Sequence, residues 1–365
     1  SINIKYRYED ERPNSFGCWG FFQNDTRQTG AWGKWIWQEW GMIMKRRNGA
    51  VFLAAAMLVL FGNGCGSSDT AGSTKIYYTA IESGDYYEGW ASRLEEQASA
   101  QGASFAVGYA ENSVETQDAQ IKEAAAGGYD VLLCGLVSPD TVTEIKAAAG
   151  DTPMVFINNA PADSALEKDK YVYVASDEFM AGQYQAEYIL DRFGQKDEIN
   201  VAILKGPKDA SGAVGRTKGL KQTLKASGKK INYVFEDNAG WSTEKAQDLM
   251  AMFLKTGQPV DCVAANNDDM ALGARAAFEQ AGVNADSVLF LGVDASAGGC
   301  QAIAEGRMDF TVFQPTDSQI SFAVKAAKRL ADGQSIAGLE GASEDGKYIL
   351  VPFEKVDSSN VAQYK

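Results

Sequence analysis

The chain of 365 residues contains no histidine. That absence excludes Ser-His-Asp and Cys-His nucleophilic centres and His-ligated zinc, and leaves any acid–base work to carboxylates or lysine. Cysteine is scarce: five residues, at 18, 65, 134, 262 and 300, form no CxxC pair. A disulfide scaffold is not expected, and Cys134 and Cys262, inside apolar strand-like runs, read as buried, inert thiols. Basic residues are outnumbered 34 to 48, a formal charge of −14, whereas a nucleic-acid surface needs clustered Lys and Arg. Neither a nucleophile elbow nor a phosphate-binding glycine loop is legible, so an enzyme is not expected. The apolar run from Ala50 to Phe61 is shorter than the roughly 20 residues of a spanning helix.

What is present begins with a break in style. Residues 1–41 hold five of the seven tryptophans with no sustained period, and read as an upstream segment. Residues 42–65 have the grammar of a secretory leader: Met42 to Arg47 is basic, and Ala50–Phe61 is apolar. The alternative is a cytosolic extension ahead of a membrane anchor. Gly62-Asn63-Gly64-Cys65 resembles a bacterial lipoprotein cleavage site, which makes Cys65 the lipid-bearing residue, although Gly62 stands where that pattern prefers Leu. Residues 66–74 then read as a flexible linker.

From Lys75 onward, strand-length apolar runs alternate with helical periodicity. Strands are expected at 76–81, 104–110, 130–136, 153–159 and 171–176, with helices at 87–100, 117–126 and 140–149 between them. The alternation restarts, with strands at 199–207, 231–238, 260–265, 287–296, 311–317 and 348–356 and helices at 180–193, 214–227, 243–255, from Met270, and at 318–331. Repeated strand–helix units predict parallel sheets with helices on both faces. The length suggests two such lobes, giving an α/β fold of two doubly wound parallel-sheet lobes.

The stretch VDCVAANNDDMALGA, Val260 to Ala274, organises the second half. An apolar strand runs into four short polar residues, Asn266 to Asp269, and restarts as a helix. Ligands of open α/β sheets bind at such carboxyl ends of strands. One capping residue suffices for one helix, so four point to a ligand. Other strand ends carry Asp85, Tyr86, Tyr87, Asn158, Arg216, Trp241, Asn267, Asp294 and Gln314. Planar amides, carboxylates and a guanidinium between aromatic faces suit a sugar ring, with its polar edges and C–H-rich faces. Each has a plainer reading: Trp241 or one tyrosine as core, Asp294 as a helix cap, Arg216 as a solvated helix residue. Asn159 and Asp268 read as structural.

The segments SDEFMAGQYQAEYI, ANNDDMALGA, LGVDAS and RLADGQ resemble periplasmic sugar-binding proteins of the ribose/galactose type, the solute-binding components of ABC sugar importers. The resemblance covers about residues 75–365. It implies a type I periplasmic binding protein fold, with three crossing strands joining lobe 75–176 plus 316–341 to lobe 177–315 plus 342–365. It also implies a monosaccharide held between them, galactose-, glucose- or ribose-like. By position, Tyr86 and Tyr87 match the paired aromatics, Asn158 the polar residue ending the fourth strand, Arg216 the second-lobe arginine, and Trp241 the stacking aromatic. Asn267, Asp294 and Gln314 match the remaining polar contacts. Gly84 stands where relatives place Asn or Asp, with Asp85 and Glu82 as substitutes. No Asp-x-Asn-x-Asp spacing follows Asp191, so no metal and no cofactor are expected. The implied partners are the permease of an ABC importer, and the membrane through a lipid anchor only. The protein is expected to be an extracytoplasmic monomer, with ligand presentation to a chemoreceptor or histidine kinase as the alternative role.

Overall fold

The computed structural model describes residues 73–364. The upstream segment, the leader, Cys65 and most of the linker lie outside the described residues.

Two six-stranded sheets follow from the alternation. The first holds β1 (Lys75–Ala80), β2 (Ser104–Tyr109), β3 (Val131–Gly135), β4 (Met154–Ile157), β5 (Tyr171–Ala175) and β11 (Tyr348–Leu350). Its order is β11-β5-β4-β3-β1-β2, and every pairing is parallel. The second holds β6 (Glu198–Lys205), β7 (Lys230–Asn238), β8 (Cys262–Ala265), β9 (Leu289–Leu291), β10 (Phe310–Phe313) and β12 (Glu354–Asp357). Its order is β12-β10-β9-β8-β6-β7, with β12 antiparallel at the edge.

Helices cover both faces of both sheets, so the strands read as continuous apolar runs whose alternate residues enter opposite cores. In β3, Val131 and Leu133 face α1 (Asp85–Ala100) and α9 (Thr316–Ala331). Leu132 and Cys134 face α2 (Val114–Ala126) and α3 (Val142–Ala149). In β8, Val263 and Ala265 pack towards α6 (Thr243–Leu254), α7 (Asp268–Gln280) and α8 (Ala297–Ala304), while Cys262 and Ala264 pack towards α4 (Glu178–Arg192) and α5 (Ser211–Ala226). Cys134, Cys262 and Cys300 are buried thiols.

The chain passes between lobes three times: after β5, after β10 and between β11 and β12. The last crossing corrects the sequence reading, which took 348–356 as one strand and gave 342–365 to the second lobe. Tyr348–Leu350 instead completes the first sheet beside β5, and the Val351 N–H extends that ladder to the Ala175 carbonyl at 2.9 Å. Pro352 has no N–H to continue it. The chain then re-pairs as β12 in the other sheet. Among the described residues no helix is long and apolar enough to cross a membrane.

Candidate functional site

The polar centre of the second lobe begins with a close helix crossing. A Cβ on Gly182 of α4 would lie 1.8 Å from the Arg216 carbonyl oxygen, and one on Gly219 of α5 would lie 2.0 Å from that of Phe179. The two helices therefore run in backbone contact, which sets Arg216 beside Glu178 in the first turn of α4. Arg216 is only 5% exposed. Its Nε donates to Glu178 Oε2 at 2.6 Å, its Nη1 to the Asn266 carbonyl at 2.6 Å and to Asp294 Oδ1 at 3.5 Å, and its Nη2 to Gln314 Oε1 at 3.1 Å. A rigid guanidinium fork is suited to holding that many acceptors in one plane.

Besides Glu178, the other three acceptors stand where strands end. Asn266 follows β8. Asp294 follows β9 at φ 117°, outside the comfortable range of a non-glycine residue, and is held there because its N–H donates to the Val312 carbonyl at 2.8 Å. Gln314 follows β10. Trp241, after β7, is also left-handed at φ 69°. Its ring lies over Gly206, where a Cβ would come within 2.3 Å of it, and the Arg216 guanidinium sits 5.7 Å from the ring centre.

Two neighbours divide the capping and anchoring work. Asn267 caps α7, its Oδ1 accepting from the Met270 N–H at 3.0 Å. Its amide NH2 donates to no described residue, so the cap does not exhaust the side chain. Asp268 is buried; Oδ1 accepts from Thr311 Oγ1 at 2.6 Å and Oδ2 from the Ser296 N–H at 2.8 Å. Gly292 and Gly299 leave room for that carboxyl, since a Cβ on either would meet its oxygens at 2.1 and 2.2 Å. Asp268 thus ties α7 to the segment carrying Asp294.

The first lobe contributes mainly rings. Tyr86 and Tyr87 open α1 edge to face, centroids 5.0 Å apart, and Tyr86 tilts on Trp90 at 6.3 Å. Tyr86 is 51% exposed, whereas Tyr87 is half-buried against the core. Asn158, left-handed at φ 64°, donates from Nδ2 to the Tyr86 hydroxyl at 3.3 Å and accepts at its carbonyl from Tyr173 Oη at 2.8 Å. Asp85 is exposed, and its side chain makes no hydrogen bond to a described residue. Glu82 is engaged by Asn112. Gly84 adopts φ 128°, a conformation that would strain Asn or Asp, and its N–H donates to Glu88 Oε1 at 3.2 Å.

Comparison with known proteins bears directly on this two-lobed cleft. A family profile described as periplasmic binding protein domain matches residues 76–335. The chain belongs to that family. It is 32% identical over 257 residues, 70% of this chain and 80% of the relative, to a protein of Rhizobium meliloti named for rhizopine binding. It is 29% identical over 292 residues, 78% of this chain and 81% of the relative, to a xylitol-binding protein of Mycolicibacterium smegmatis. An ABC transporter solute-binding protein from Bacillus halodurans C-125, solved with bound myo-inositol, superposes with a TM-score of 0.70 at 26% identity, covering 81% of this chain and 99% of that one.

In this periplasmic binding protein the two lobes sense each other electrically. Desolvation, reinforced by the Asp294 carboxylate, pushes the Tyr86 hydroxyl up to about 12 although the residue opens to the cleft. Burial raises the Asp294 and Asp268 carboxyls, and Arg216 pulls Asp294 part of the way back. Burial works against the Arg216 charge, but Glu178 and Asp294 more than offset it, so its pKa ends above the ordinary arginine value. The structure thus brings Arg216, Asp294 and Gln314 into one network with Trp241 beside it, sets Asn158 and Tyr86 across from them, and leaves Asp85 at the rim. Sequence reasoning missed the two shortest partners of Arg216, Glu178 and the Asn266 carbonyl, both at 2.6 Å. Glu178 was legible only as an acidic first-turn residue. The Gly-x-x-x-Gly spacing of 215–219 was the available sign that α5 lies against another backbone. Among the described residues no cluster of three potential ligands could hold a metal ion.

Proposed function

We propose that this protein captures a monosaccharide or cyclic polyol between its lobes outside the cytoplasm and hands it to the permease of an ABC importer. It binds and delivers without catalysis. The observation that carries the reading is the Arg216 network: a buried guanidinium, held on three sides, at the ends of strands that face Tyr86 across the cleft. Such a network gives each ligand hydroxyl a fixed partner, and an epimer leaves one buried group unpaired. Myo-inositol in the structural relative and xylitol in a sequence relative's name support a neutral polyhydroxylated ligand. Asp85, Tyr86, Tyr87, Asn158, Arg216, Trp241, Asn267, Asp294 and Gln314 are the contacts proposed for it. The working protein is a monomer tethered by a lipid on Cys65, with 42–64 removed as leader.

The test is a thermal-shift screen of residues 66–365 against monosaccharides, inositols and linear polyols, with Trp241→Ala beside the wild type. A ligand at about 100 times its dissociation constant adds roughly 2.7 kcal/mol, a rise of several degrees. One ligand class raising the melting point of the wild type alone is the expected result. A folded protein that none of them shifts would overturn the assignment.

A further inference from the structure

Away from the three crossings, two hydrogen bonds join the lobes at one residue. Ser211, the first residue of α5, accepts at Oγ from the Ala160 N–H at 2.9 Å and donates its own N–H to Asn159 Oδ1 at 3.3 Å. Asn159 is itself anchored in the first lobe, its Nδ2 donating to the Leu136 carbonyl at 2.8 Å. Neither bond involves a proposed ligand contact, so both form only when the lobes are close and need no ligand to form.

Their placement is informative on both sides. In the first lobe, the left-handed turn at Asn158 sends consecutive asparagines to different tasks: Asn158 to Tyr86 and Asn159 to Ser211. In the second lobe, Ser211 begins the helix that carries Arg216 one and a half turns later. The backbone contact of α5 with α4 leaves that helix no freedom to adjust alone. A bond at Ser211 therefore positions the whole Arg216 network relative to Tyr86.

We infer that Ser211 is a positioning residue: with Asn159 and Ala160 it forms a ligand-independent latch that sets the closed fraction of the empty protein. The apparent dissociation constant is the intrinsic one divided by the fraction already competent. The latch thus scales affinity for every ligand by one factor and leaves the preference among ligands to the cleft. The inference rests on the reading of the protein as a closing binder, but not on which ligand it takes.

The experiment compares Ser211→Ala with Ser211→Thr, which keeps the hydroxyl. Small-angle X-ray scattering of the empty proteins reads closure, and dissociation constants for two or more ligands read affinity. Ser211→Ala is expected to enlarge the empty protein's radius of gyration and to weaken all ligands by the same factor, about three- to tenfold for one lost hydrogen bond; Ser211→Thr is expected to match the wild type. Unchanged scattering, or a loss confined to one ligand, would overturn the latch, the second by placing Ser211 in contact with that ligand. Should no sugar or polyol bind, the functional reading fails while the scattering comparison still decides the latch.

Discussion

The two walls of the cleft are built from different chemistry. The second lobe presents a charged, interlocked cluster in which Glu178, Arg216, Asp294 and Gln314 hold one another as well as any ligand. The first lobe presents an open ring, Tyr86, steadied by a single long bond from Asn158. One wall cannot be altered without disturbing the fold that carries it, whereas the other is hung on a finished fold. Under the proposed function, hydrogen-bond recognition would fall mainly to the interlocked lobe and ring stacking to the other.

The largest effect is expected on the interlocked side. Arg216→Ala leaves the Glu178 carboxylate and the Asn266 carbonyl buried without their cation, a loss of about 3–5 kcal/mol. The melting temperature should fall by roughly 10 °C and ligand-induced stabilisation should vanish. Tyr86→Ala, on the open side, should weaken the best ligand at least tenfold while moving the melting point of the empty protein by about 2 °C or less, as for an exposed residue. If Tyr86→Ala melts as early as Arg216→Ala, the contrast between the walls is wrong. The smallest expected effect concerns pH. Burial raises the Asp268 carboxyl above its unfolded value, so the folded chain holds that proton more tightly. Its contribution to stability is fully present below the ordinary carboxylate range and is lost as pH rises towards neutrality. Asp268→Asn should flatten that part of a pH series of melting curves; an unchanged slope would remove Asp268 as its source.

The lobes were legible because a strand covered on both faces is an apolar run whatever lies against it, and β1, β3, β6 and β8 all announce themselves. Two elements were not. Helix α8, AGGCQAIA, is short and carries two glycines, with only Ser296 as a start signal, its Oγ accepting from the Gly299 N–H at 3.0 Å. The run YILVPFEKV looked like one strand because nothing local says that its halves pair with different sheets. At the site, strand ends marked the right neighbourhood, but partner choice did not follow from position. Asn267 sits at the expected place and still spends its oxygen on the helix, while Glu178, on another element altogether, supplies the carboxylate paired with Arg216 at 2.6 Å. Spacing along the chain locates elements; which side chains meet depends on how α4 and α5 cross.

The split at Pro352 has a consequence for the order of folding. Strand β11 closes the edge of the first sheet and β12 that of the second, and both arrive after Lys347. Helix α9, which fills the first lobe's core, also comes late. Neither lobe can be completed until the residues after Lys347 have been synthesised. The contacts that finish the first lobe span the entire second lobe, so they are long in sequence and slow to form.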